Sequence, residues 1–231
     1  MDILYKDNRI VAVLKPYGVE STDIPGGMPS LVRQALGEAS GCVRTVHRLD
    51  RVVGGVMELA RSRMAAQILS AQIRVHTFQK EYLAVVHGEP GNGSFCDLLF
   101  RNKQERKTYV AAAPGKDVQK AVLHYRTLDT ANGLSLVHIT LETGRTHQIR
   151  AQFSAHGFPL MGDKKYGAQP LRAHEIALWS FALEFLHPQS GERIRFAALP
   201  PQTPPWISFQ KTLDKLQGEA YNEDKSESSN L

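Results

Sequence analysis

The chain has 231 residues, 42% hydrophobic and 22% charged, which suits one large or two small globular domains and is too apolar for a mostly disordered chain. No apolar run approaches the ~20 residues of a membrane span, the charged N-terminus is no signal peptide, and the widely spaced Cys42 and Cys96 exclude a disulfide framework and suit a reducing, cytoplasmic setting. The net charge of +5 is uneven: Lys225 against Glu219, Glu223, Asp224 and Glu227 gives the last stretch −3 and leaves the body +8, an attraction for polyanions, although a solvated basic surface with no partner reads the same from charge alone.

In chain order, Ile3 to Tyr5 and Ile10 to Leu14 predict a hairpin around polar turn residues, followed by a Gly/Pro-rich loop from Pro16 through Pro29. Ser30 to Leu36 predicts a short helix stopped by Gly37. A strand over Cys42 to Val46 leads into the polar knot His47-Arg48-Leu49-Asp50-Arg51, and Gly54 to Ala60 predicts the next strand. Ser62 is placed to cap a helix with Met64, Ile68, Ala71 and Val75 on its apolar face. Phe78 to His87 reads as a strand and Asn92-Gly93 as a tight turn.

Further strands are expected over Thr108 to Ala112, Ala121 to Leu128 and Leu134 to Leu141. Thr146 is placed to cap a helix through His156 that stops at Gly157, and strands follow over Ile176 to Phe185 and Arg193 to Ala197. Beyond a Pro200 to Pro205 linker, Trp206, Phe209, Leu213 and Leu216 outline a last amphipathic helix. Many sequence-adjacent strands with few helices predict an α+β fold around a largely antiparallel sheet. No break before residue 217 marks a domain boundary, and residues 218–231 read as a polar, acidic, disordered tail.

Three segments carry candidate chemistry. Asp50 lies between Arg48 and Arg51, and opposite charges favour its ionised form; taken alone, a loop aspartate is most simply a surface ion pair. Thr143 to Arg150 sits at a strand-to-helix junction, where Gly144 permits a tight turn and Arg145 is placed to hold a carboxylate or phosphate; alone, this is a capped helix start with an exposed arginine. Lys80-Glu81-Tyr82 lies inside a strand, where a tyrosine is ordinarily a packing residue. His147 and His156 stand nine residues apart and His174-Glu175 is not followed by a second histidine at ligand spacing, which argues against a metal hydrolase.

Together these segments resemble the RluA family of pseudouridine synthases. HRLD at 47–50 before a Gly-rich strand is similar to the family's catalytic-aspartate motif, and KEYLAVVHG at 80–88 to its tyrosine motif. LETGRTHQIRAQFSAHGFPLMGDKKYG at 141–167 resembles its second long signature, and VLKPYGV at 13–19 its N-terminal Lys-Pro-x-Gly element. The likeness runs from about residue 3 to 200. It implies the pseudouridine synthase fold and an isomerase that converts uridine in rRNA or tRNA without a cofactor or metal, acting as a monomer away from membranes.

The resemblance further implies Asp50 as the catalytic carboxylate, Arg145 as its ion-pair partner, and Tyr82 against the target uracil. Arg48 is expected to fill the RNA stack left by a flipped uridine, with His47, Lys80, Arg106, Lys107 and Lys164 as further substrate or RNA contacts. Lys15 and Lys165 are also expected on phosphates. Attack of Asp50 on C1′ and proton removal from C2′ both remain open. Two positions depart from the family pattern: Trp179-Ser180 stands where relatives commonly carry His-Ala, and Val53-Gly54-Gly55 replaces the usual Thr-Ser-Gly or Val-Ser-Gly. The chain begins at the catalytic domain, without the extra N-terminal RNA-binding domain of many relatives. A non-catalytic RNA-binding protein of the same fold would have no reason to keep Asp50, Tyr82 and Arg145 together. A nucleoside hydrolase would be expected to carry a second carboxylate near Asp50.

Overall fold

The computed structural model describes residues 1–38, 40–169 and 175–217. The expected tail, 218–231, and His174 lie outside the described residues. Strands β1 (Ile3–Lys6) and β2 (Ile10–Lys15) form the predicted hairpin, and α1 (Met28–Leu36) ends at Gly37 in the left-handed region. They are followed by β3 (Arg44–Thr45), β4 (Gly54–Ala60), α2 (Arg63–Arg74), β5 (Gln79–His87), β6 (Asn92–Asn102) and β7 (Lys107–Val110). The chain continues through β8 (Val118–Ala131), β9 (Leu134–Leu141), α3 (Gln148–Ala155), β10 (Leu178–Leu186) and β11 (Arg193–Ala197). A 3-10 turn, Trp206–Phe209, then runs into a helix over 210–217.

The eleven strands make one sheet in the order β1-β2-β4-β10-β5-β9-β8-β6-β7, with β11 on β10 and β3 on β4. Among the described strands only β4 and β10 pair in parallel, so the expected antiparallel α+β architecture holds. Strand alternation divides the core in two. Met57 and Leu59 of β4 and Tyr82, Ala84 and Val86 of β5 face one side, under Met28 and Val32 of α1 and Ile149 and Phe153 of α3. On the other side Val56 and Ala60 meet Ala65 and Leu69 of α2, while Leu83 and Val85 meet Trp206, Phe209, Leu213 and Leu216 of the predicted last helix. Among the described residues no helix is long and apolar enough to cross a membrane.

Three local expectations change. Ser62 caps α2 as predicted, accepting from the Ala65 N–H at 3.1 Å, but the buried face is Ala65, Leu69 and Gln72, with Met64 and Val75 in solvent. Gln72 is buried because its amide exchanges two hydrogen bonds with the backbone of Leu186 at 2.8 and 2.9 Å. Asn92-Gly93 is not a turn: both residues pair with β8, and the chain reverses through Gly88 and Gly91, which have positive φ. The N-cap of α3 is His147, not Thr146. There the side-chain oxygen of Gln148 accepts from the Arg145 N–H at 2.9 Å while its amide donates to the Val122 carbonyl at 3.1 Å.

Candidate active site

Asp50 stands in the loop between β3 and β4, and the loop is pinned from several sides. Leu49 is buried in the core, and its backbone N–H and C=O are both taken by Ser21 Oγ, at 3.1 and 2.7 Å. Lys15, at the end of β2, is fully buried and spends its three donors on the carbonyls of Pro16, Arg51 and Val53 at 3.0, 3.3 and 2.7 Å. Burial lowers its pKa to about 8, partly countered by Asp50 and Glu20. The expectation that Lys15 contacts phosphate is therefore corrected: its ammonium fastens the Asp50 loop from beneath.

Asp50 Oδ2 accepts from Arg150 Nη1 at 2.9 Å. Arg150, in α3, is itself clamped by Asp163, which takes Nε at 2.7 Å and Nη2 at 2.8 Å and is 1% exposed. Burial would lower the pKa of Arg150, but hydrogen bonds and charge from Asp163 and Asp50 outweigh it and hold the group above its ordinary value. The expected partner, Arg145, is not there. Arg145 is exposed on the cleft rim, and its Nε donates to the Lys120 carbonyl at 3.0 Å. It precedes the helix and is held by β8, whereas Arg150 lies in the first turn of α3 on a face that packs inward.

His147 completes the surroundings of Asp50, with Nε2 3.6 Å from Oδ2, beyond hydrogen-bond reach. The Tyr166 hydroxyl accepts from the Thr108 N–H and donates to His147 Nδ1 at 2.8 Å, and Arg101 donates to the same nitrogen at 3.2 Å. That assigns the imidazole proton to Nε2, toward Asp50. Burial, reinforced by Arg150, Arg101 and Lys165 against the pull of Asp50, pushes the pKa of His147 down to about 4.

Tyr82 reaches the cleft from β5 and is 6% exposed. Burial and then Asp50 push its pKa above the ordinary value, which works against a role as proton acceptor. His47 lines the same cleft, but neither ring nitrogen is offered to a ligand: Nε2 accepts from the Glu58 N–H at 3.0 Å and Nδ1 is buried. Burial first, then Lys80, pushes its pKa down to about 3. The expected RNA contact at His47 is thus corrected to a tie between the Asp50 loop and β4.

These groups surround a cleft of about 1080 Å³, lined by nine Lys or Arg side chains against the acids Glu20, Asp50 and Glu142, an excess that suits a polyanion. Arg48 and Arg106 line it in exposed positions, as expected, and Lys165 joins them. Lys80 also lines it, from the buried face of β5. Lys107 and Lys164 do not line it: the Lys107 ammonium lies over the rings of Tyr109 and Tyr166, and Lys164 is exposed on the 3-10 turn Lys164–Tyr166. The sequence reading missed Arg150, Asp163, His147 and Arg101. Only Arg150 left a signal: an arginine between Ile149 and Phe153 in an amphipathic helix is carried inward and needs a carboxylate partner. Among the described residues no group of three or more His, Cys, Asp or Glu is placed to hold a metal ion.

Residues 9–155 match the model of the RNA pseudouridylate synthase family. The uncharacterized RNA pseudouridine synthase YlyB of Bacillus subtilis is 34% identical over 214 residues, covering 87% of this chain and 70% of its own. Ribosomal large subunit pseudouridine synthase D of Zymomonas mobilis is 31% identical over 223 residues, with coverages of 87% and 70%. Among solved structures, human RNA pseudouridylate synthase domain containing 4 superposes with a TM-score of 0.72 at 23% identity, covering 93% of this chain and 92% of that one. Human RNA pseudouridylate synthase domain containing 1 gives 0.74 at 22% identity, with coverages of 87% and 84%. At that identity the likeness concerns the fold.

Proposed function

Because this chain belongs to the RNA pseudouridylate synthase family and is an isomerase acting on RNA, we propose that Asp50 is its catalytic carboxylate, working on a uridine turned out of the RNA into the cleft. The observation that carries this reading is the Arg150 grip. One guanidinium holds Asp50 at 2.9 Å while buried Asp163 fixes its other edge, so the carboxyl group is oriented before substrate arrives.

The reaction breaks the N1–C1′ bond, turns the uracil and joins C5 to C1′; N1 gains a proton and C5 loses one. Atoms move within one nucleotide, so no redox or group-transfer cofactor is needed. Asp50 acts either by bonding to C1′ or by taking a proton from C2′, and Arg150 serves both routes. Tyr82 offers its ring to the uracil. Arg48, exposed and without a hydrogen bond or ion pair among the described residues, fits the role of stacking where the base had been, which offsets part of the few kcal/mol of unstacking. Arg106, Arg145 and Lys165 on the rim would meet backbone phosphates. Relatives named for the ribosomal large subunit favour rRNA as the substrate over tRNA.

The test is to map pseudouridine in total RNA from cells with the protein, without it, and with Asp50→Asn. A site in large-subunit rRNA should vanish both in the deletion and in the variant, while the purified variant keeps its fold and its RNA affinity. A site restored by Asp50→Asn would overturn the assignment of Asp50, and a site found only in tRNA would overturn the choice of substrate.

A further inference from the structure

Among the described residues, Lys80 is the one cation of the cleft that is both more than nine-tenths buried and without a protein partner. It is 8% exposed, against the exposed rim arginines, and the equally buried Arg150 is fully engaged by Asp163 and Asp50. Strand alternation puts Lys80 on the same face of β5 as Tyr82, two residues on, so both side chains enter the cleft together. Opposite its ammonium lies Gly144, where an added Cβ would stand 3.1 Å from Lys80 Nζ. Gly144 has no positive φ, so its backbone makes no demand for glycine; what the missing side chain leaves is room around the ammonium.

A lysine buried along its stem, whose ammonium opens to the cleft with no carboxylate or carbonyl among the described residues to hold it, is a cost to the fold that an anionic ligand removes. Burial accordingly lowers the proton affinity of Lys80. The family reaction creates such an anion. When N1–C1′ breaks, the electron pair leaves with the uracil. On either route Asp50 loses its negative charge, to the bond with C1′ or to the proton from C2′, and the uracil gains one. The charge therefore moves away from Arg150 toward the base, whose O2 and O4 carry much of it. A phosphate, by contrast, lies on the outside of the nucleotide, within reach of the exposed rim cations.

We propose that Lys80 is a catalytic residue whose ammonium donates a hydrogen bond to a carbonyl oxygen of the target uracil and stabilises the uracilate between bond breaking at N1 and bond making at C5. The ammonium keeps its proton throughout, and the charge is discharged when C5 bonds to C1′. This rests on the reading above that the uridine enters the cleft at Asp50.

The experiment uses the full chain with Lys80→Met, and transcripts spanning the mapped site made with uridine or with 5-fluorouridine. Fluorine at C5 withdraws electrons and stabilises the uracilate by itself, so the cation should then matter less. Under single turnover, Lys80→Met should consume uridine about 100-fold more slowly than wild type. Its RNA affinity and salt slope should stay the same, and the deficit should be at least several-fold smaller on 5-fluorouridine. Gly144→Ala, which crowds the ammonium without removing it, should show the same pattern more weakly, and decides the matter if Lys80→Met does not fold. Equal deficits on both transcripts, an unimpaired rate, or weaker binding with a flatter salt dependence (the mark of a lost phosphate contact) would each overturn the role of Lys80. Wild-type protein that modifies neither transcript would instead overturn the reading of the site itself.

Discussion

Arg145 and Arg150 stand five residues apart in one motif and carry different loads. Arg150→Lys keeps the charge but loses the planar fork that meets Asp163 with two donors and Asp50 with a third. Its turnover should fall about 100-fold, from misplacement of Asp50, with RNA affinity unchanged. Arg145→Ala should do the reverse, weakening RNA binding in a salt-dependent way while single-turnover rates at saturating RNA stay near wild type. Filter binding and single-turnover assays separate the two, and a large rate loss in Arg145→Ala would restore it as the partner of Asp50. The residue scale also shows why the sequence misled. Arg145 follows Gly144 in a plausible anion site and Arg150 lies five residues on, and only the helical phase of α3 tells which guanidinium is carried inside. Lys15 was illegible for a related reason, since a lysine beside a Pro-Tyr-Gly loop gives no sign that two carbonyls of another segment, Arg51 and Val53, join that of Pro16 in converging on it.

At the scale of elements, the two departures from the family pattern turn out to be neighbours. The parallel pairing of β4 with β10 sets Trp179 beside Gly54 and Ser180 beside Gly55. A Cβ on Gly54 would lie 2.6 Å from the Trp179 ring, so the absent side chain on one strand makes room for the indole on the other. Gly55 has φ +118, and a Cβ there would lie 2.3 Å from the Ser180 carbonyl oxygen, so this crossing of strands requires it to be glycine. Gly54→Ser should therefore cost more stability than Trp179→His, which leaves a void and loses the bond from Nε1 to the Ala198 carbonyl at 2.8 Å. In the double variant the two should compensate by more than about 1 kcal/mol relative to the sum, read from urea unfolding; simple additivity would show that the pair does not interact. Most strands were legible as short apolar or β-branched runs bounded by turn residues; β6, Asn92–Asn102, was not, because it holds no β-branched residue and opens on an Asn-Gly pair that reads as a turn. The pairing partners of the strands were not legible, because the register that brings residues 54 and 179 together is set by packing across the whole sheet. The face of α2 was misread for a similar reason: Gln72, buried by its bonds to Leu186, does not register as part of an apolar stripe.

For the molecule as a whole, stability against acid follows from three buried groups. His147 and His47 have pKa values of about 4 and 3 in the fold, below the ordinary value near 6.5. Above pH 6.5 both states are neutral; as pH falls from there toward 4 the unfolded chain binds protons that the fold refuses, and stability is lost. Glu58 acts in the opposite sense. Its carboxyl is fully buried on the α2 side of β4 without a hydrogen bond among the described residues, and burial, then Asp7, raises its pKa well above 4.5. It penalises the fold above pH 4.5, where the unfolded chain ionises, and the penalty relaxes on acidification. Glu58→Met should thus be more stable than wild type at pH 7, by about 1–3 kcal/mol, and should lose stability more steeply between pH 6.5 and 4.5. Denaturant titrations at several pH values check this; a gain independent of pH would mean that Glu58 is ionised in the fold.

The sheet order has one more consequence. β10 lies between β4 and β5, yet it begins at residue 178, beyond residues 9–155, which match the family model, and beyond the last of the motifs that resemble the family's. On the ribosome every motif emerges before the strand that joins the two halves bearing them. Until that late segment is threaded into the middle, the strand that follows Asp50 and the strand that carries Tyr82 belong to separate ribbons of the sheet.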